Sequence, residues 1–84
     1  MSQNCSLNEL NPGEIAVVKE LKIRGSIRRR LLDIGLVKDT KVECVGKSPA
    51  GDPAAFLIRG AVIAIRSEDM KDIVVRIIIS RNPE

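Results

Sequence analysis

Ala54-Ala55-Phe56-Leu57-Ile58-Arg59-Gly60-Ala61-Val62-Ile63-Ala64-Ile65-Arg66 decides the fold class. Two short apolar runs flank a glycine. Each is too short for a stable helix, and Ile, Val and Phe favour a pleated chain. Ala54 to Arg59 and Ala61 to Arg66 therefore read as two strands joined by a tight turn at Gly60.

Reading outward finds more strands. Lys41 to Val45 alternates, with Val42 and Cys44 on one face. Ile73 to Ile79 places Ile73, Val75, Ile77 and Ile79 on one face. Asn11-Pro12-Gly13 is a turn, because Pro12 fixes φ and Gly13 permits φ > 0. The strand Glu14 to Leu21 follows it, apolar on both faces as in a small closed barrel. Ser67 to Asp72 reads as one helical turn. About five short strands with brief connections suit a small barrel; the β-α-β start also suits an α+β sandwich.

Ser26 to Ile34 is the one sustained helix. Ile27, Leu31 and Ile34 fall at i, i+4 and i+7, one face of a helix. Ser26 is the expected N-cap, and Arg29 and Asp33 are spaced to pair on the far face. Gly35 is the expected left-handed residue after the last turn, with Leu36 folding back on it.

The composition, 44% hydrophobic and 30% charged over 84 residues, is that of one folded domain. So small a core leaves little room for a deep pocket, which directs attention to the surface. A net charge of +3 is mildly basic. The polar start Met1-Ser2-Gln3-Asn4-Cys5 is unlike a secretion signal, and no apolar run is long enough to span a bilayer. The expectation is a cytosolic protein, with residues 1–6 frayed, a domain over 7–79 and a tail over 80–84. Cys5 and Cys44 then read as free thiols, one in the mobile start and one in the core.

No catalytic constellation is visible. The chain has no His, so the usual general base and the commonest zinc ligand are missing, and Cys44 has no imidazole to activate it. No phosphate-binding loop occurs, and no cysteine pair has metal-ligand spacing. No catalytic residue, metal ligand or cofactor site is assigned.

Two surface features remain. Lys19, Lys22, Arg24, Arg28, Arg29 and Arg30 stand against Glu20 alone. They read as an electropositive patch for an acidic partner or phosphate, or as a solvated helix face. The loop Ser48-Pro49-Ala50-Gly51-Asp52-Pro53 is stiffened by two prolines and bent at Gly51. It is a rigid connection or a preordered recognition loop. Arg28, Arg29, Arg30, Gly51 and Asp52 are the candidate partner-binding residues. A nucleic-acid site is the weaker alternative, since one aromatic offers no stacking platform.

The string Arg28-Arg29-Arg30-Leu31-Leu32-Asp33-Ile34-Gly35-Leu36 resembles the helix signature of the FeoA family, ferrous iron transport protein A. Leu7-x-x-Leu10-x-x-Gly13, Gly51-Asp52-Pro53, the hairpin Phe56-x-Ile58-Arg59-Gly60-x-x-Ile63-Ala64-Ile65-Arg66 and the terminal Ile73-x-Val75 are similar to that family in the same order. Phe56 stands where the family commonly has Tyr, and Asp69-Met70 replaces a more usual Glu-Ala. The resemblance implies a mainly β, SH3-like barrel with one short helix after the first strand. It also implies a non-enzymatic accessory protein for ferrous iron uptake. The implied partner is FeoB, the membrane ferrous iron transporter with a cytosolic GTP-binding region, with self-association open. It further implies kinship with the SH3-like domain of iron-dependent repressors, hence the alternative of an iron-responsive domain binding a transition metal weakly.

Overall fold

The computed structural model describes residues 4–79. In chain order these form β1 (Asn4–Ser6), a 3-10 turn (Leu7–Glu9), β2 (Ile15–Leu21), α1 (Ser26–Asp33) and β3 (Lys41–Lys47). Then come β4 (Ala54–Ile58), β5 (Ala61–Ile65), α2 (Ser67–Met70) and β6 (Ile73–Ile79). The strands make one antiparallel sheet in the order β1-β6-β2-β3-β4-β5.

One strand escapes the sequence reading. Asn4–Ser6 is not frayed: it pairs with β6, with Cys5 opposite Val75. Three residues carry too little alternation to be recognised alone, and the pairing is with a strand about 70 residues away. Residues 1–3 and the tail 80–84 lie outside the described residues.

Register shifts curl the sheet. β2 and β6 slip between Ile15 and Ala16 and again between Val18 and Glu20; β3 and β4 slip between Cys44 and Gly46. Each extra residue bends its strand and raises the local twist, wrapping the sheet around its buried face. That face carries Ala16, Val18, Val42, Cys44, Phe56, Ile58, Ile73 and Val75. The 3-10 turn and α2 pack together and bring Leu7, Leu10 and Met70 into the same core. Glu14, also buried, accepts the Asn11 N–H at 2.8 Å and so fastens the turn before β2.

Helix α1 starts and stops on glycines. The N-cap is Gly25, with φ 80° and ψ −157°, rather than Ser26, which is the first helical residue and makes no capping bond. The chain must swing from an extended exit into the helix at this point, and glycine adopts that backbone freely. Arg29 and Asp33 do not meet; the ion pair found among the described residues is Lys19–Asp39 at 3.6 Å.

The helix ends as expected. Gly35 has φ 99°, its N–H donates to Leu32 O at 3.0 Å, and Leu36 N–H donates to Leu31 O at 2.9 Å. These two bonds satisfy carbonyls that the last turn would leave unpaired. The Gly35 carbonyl in turn accepts from Thr40 Oγ1 at 3.0 Å and Arg59 Nε at 3.2 Å, tying the helix end to the β4–β5 hairpin. A Cβ on Gly35 would press into Arg59 Cδ and Nε, besides holding an L residue in the left-handed region. Gly35→Ala should therefore cost at least about 1–2 kcal/mol. Gly46→Ala, with open space and an ordinary φ, should cost little. Paired urea titrations followed by far-UV circular dichroism check the contrast.

Candidate partner-binding groove

Because β5 is the last strand of the sheet, no further strand among the described residues covers its outer edge. Helix α1 crosses nearby, with Leu31 buried and Ile27 and Ile34 half-buried against the core. Between them lies a groove of about 410 Å³. Ile27, Leu31 and Ile34 form its helical wall, and Ile63, Ala64 and Ile65 its strand wall. Arg30, Arg66 and Asp69 set the charge, two cations against one carboxylate, with both arginines exposed. An apolar floor with a few charged groups is a surface that binds and orients.

Of the candidate residues, Arg30 lines this groove, whereas Arg28 and Arg29 are exposed on α1 without lining it. Gly51 and Asp52 lie in the β3–β4 loop. There Gly51, with φ 82°, donates its N–H to Ser48 O at 2.7 Å, and Asp52 N–H donates to Ser48 Oγ at 3.0 Å. The Asp52–Pro53 peptide is cis.

Asp52 also has a structural task. Its Oδ1 accepts the Ser67 N–H at 2.9 Å and its Oδ2 accepts the Ser67 hydroxyl at 3.0 Å. The residue preceding α2, Arg66, makes no side-chain cap of its own. A carboxylate 15 residues earlier in the chain thus caps α2 and steadies the segment that carries Arg66 and Asp69 into the groove. Asp52→Ala should lower stability by about 0.5–2 kcal/mol. Its signature should be a larger acceleration of hydrogen exchange at the Ser67 amide than in the β2–β6 pairing, which speeds up only by the loss of global stability.

The sequence reading missed Arg66, Asp69 and the β5 edge. Arg66 closes a strand in that reading and Asp69 stands in the helical turn after it, and both look like ordinary solvated charge. Ala61–Ile65 looks like a buried strand, yet Val62 is 64% exposed. The one available signal was that a run of five uncharged residues ends on a pair of opposite charges.

Among the described residues no three His, Cys, Asp or Glu side chains converge. Both thiols are free. Burial pushes each of them up, Cys5 with further help from Glu9 and Glu14; at Cys44 burial outweighs the opposing pull of a backbone hydrogen bond at Gly46 and of the Lys47 charge. The thiolate form that binds metal is thereby disfavoured at neutral pH. No helix among the described residues is long and apolar enough to cross a membrane.

A curled antiparallel sheet with a small helix and a surface groove defines a small β domain of the SH3-like class. The FeoA domain model matches residues 5–77, and the chain belongs to the FeoA family, which is associated with ferrous iron transport. The Fe(2+) transport protein A/Fe(2+) transporter FeoB fusion protein of Porphyromonas gingivalis is 34% identical over 74 residues. That alignment takes in 88% of this chain but only 9% of the fusion protein. The FeoA-like protein of Clostridium acetobutylicum has a similar structure, with TM-score 0.84 and 30% identity, over 100% of this chain and 98% of that one. Stenotrophomonas maltophilia FeoA, solved in complex with zinc and described as a procaryotic SH3 domain protein, gives TM-score 0.73 and 32% identity. It is matched over 83% of this chain and 87% of its own.

Proposed function

We propose that this chain is a non-enzymatic accessory module for ferrous iron uptake. It docks on the cytosolic part of a FeoB-type transporter through the groove between α1 and β5. The observation that carries this reading is the relative in which the two named proteins are one polypeptide. Fusion raises effective concentration, which serves two domains whose work is done in contact. The groove supports it with an apolar floor for affinity and Arg30 and Arg66 for orientation.

The test is a titration of the purified chain with the soluble cytosolic domain of the FeoB-type transporter from the same genome, at two salt concentrations. Saturable binding that weakens with salt is the expected result. No binding up to about 0.1 mM at low salt would overturn the reading and leave self-assembly or metal sensing. Anaerobic calorimetry with Fe²⁺ then separates those two.

A further inference from the structure

We propose that the free edge of β5 takes an extended, acidic segment of the partner as an added strand, laid in the groove beside α1. This rests on the docking reading above and specifies how the docking is made.

The turn geometry shows which backbone groups are free. Arg59 and Gly60, with φ 50° and 86°, make a two-residue turn, and Ile58 pairs with Ala61 across it. Left-handed φ at both central residues is the turn whose twist matches a hairpin, and its flanking residues exchange hydrogen bonds. The pairs then alternate along the ladder, so Ala61, Ile63 and Ile65 bond inward to β4. Val62 and Ala64 direct their N–H and C=O groups away from the sheet, to the side where β5 has no neighbouring strand among the described residues.

The groove runs along that edge. Ile63, Ala64, Ile65 and Arg66 all line it. Successive side chains of a strand point to opposite faces, so consecutive residues share one groove only when it is reached from the strand's edge. Five residues offer about 17 Å of edge.

This edge also lacks the devices that keep edges unpaired. Ala61–Ile65 contains no charge and no proline, and its register with β4 has no bulge. The opposite edge, β1, is only three residues long. Val62, 64% exposed, adds an apolar side chain to the open strand.

Charge selects the occupant. Arg30 and Arg66 line the groove against Asp69 alone. Arg59 is exposed at the hairpin tip, and Arg28 and Arg29 are exposed on α1. A second copy pairing edge to edge would bring these cations together. An extended segment alternating acidic and apolar residues meets Arg30 and Arg66 with opposite charge and places its apolar side chains on Ile27, Ile34 and Ile63.

Proline tests the geometry without breaking the fold. At Val62 or Ala64 it removes an N–H that the ladder with β4 does not use among the described residues. At Ile63 it removes one bonded to β4 and should destabilise. The full-length ¹⁵N-labelled chain is titrated with the transporter's cytosolic domain and, separately, with an alternating Asp/Val heptapeptide. The expected result is at least about tenfold slower exchange of the Val62 and Ala64 amides on binding. Val62→Pro and Ala64→Pro should each lose about tenfold or more in affinity, as should the surface variant Arg66→Glu, while all three melt like the parent. Two results would overturn the proposal. If the domain binds the proline variants as tightly as the parent, strand addition is wrong while docking stands. If neither titrant alters the Val62 and Ala64 amides, the edge is not a binding element. A failure of the domain alone, with the peptide still protecting the edge, counts against the transporter as partner and for the strand-accepting edge.

Discussion

Phe56→Ala should lower the stability of this domain by about 3–5 kcal/mol. Phe56 is fully buried and is the largest side chain in the core. It stands on β4 opposite Cys44 of β3 and Ile63 of β5, so its ring lies between two neighbouring strands. Truncation loses the transfer free energy of the ring and leaves a cavity that the backbone cannot close. A domain of this size has only about 5–15 kcal/mol in total. The loss is therefore a large share of the whole, and the variant should be substantially unfolded at modest urea concentrations. Phe56→Leu, which keeps most of the volume, should cost far less. The chain has no Trp or Tyr, so far-UV circular dichroism is the readout rather than fluorescence. A cost below about 1 kcal/mol for Phe56→Ala would show that the core is not organised around this ring.

The second large effect falls on binding. Arg30→Glu with Arg66→Glu should weaken the complex with the transporter's cytosolic domain about 10- to 100-fold at low salt. Both residues line the groove and are exposed, so reversal changes the field there without disturbing the core. The difference should shrink as ionic strength rises, because the Debye length falls from about 10 Å at 0.1 M to about 3 Å at 1 M. Asp69→Asn supplies the sign check, since removing the groove's one carboxylate should leave binding unchanged or tighter. Arg28→Glu and Arg29→Glu, on residues that do not line the groove, should each change affinity by less than about threefold. Equal losses at Arg28 and Arg30 would instead assign binding to the whole basic face of α1. Parallel melts separate a binding loss from an unfolded variant.

The two legible parts of the fold were those governed by local period. Alternation in Lys41–Val45 and Ile73–Ile79 marked strands, and Ile27, Leu31 and Ile34 marked a helix, because these patterns follow from backbone geometry alone. Gly35 was equally legible, since a left-handed residue after the last turn satisfies carbonyls within the same segment. Ser26 misled because a hydroxyl caps a helix only from a residue whose own backbone is non-helical, and Ser26 is already the first helical residue, with Gly25 at the cap. Asp52 was legible as a candidate binding residue of a stiffened loop, yet its carboxylate holds Ser67, which no spacing rule connects to it.

Five of the six strands, the helix with its stop and the basic character of the surface were thus legible in the sequence alone. Each depends on neighbours a few residues apart. The tertiary structure alone decided that Asn4–Ser6 closes one side of the sheet and that β5 is left at the other. It also decided that, of the arginines in the basic stretch, Arg30 joins Arg66 at the groove. Strand order is set by pairings between distant segments, and a five-residue apolar run reads the same in the middle of a sheet as at its edge.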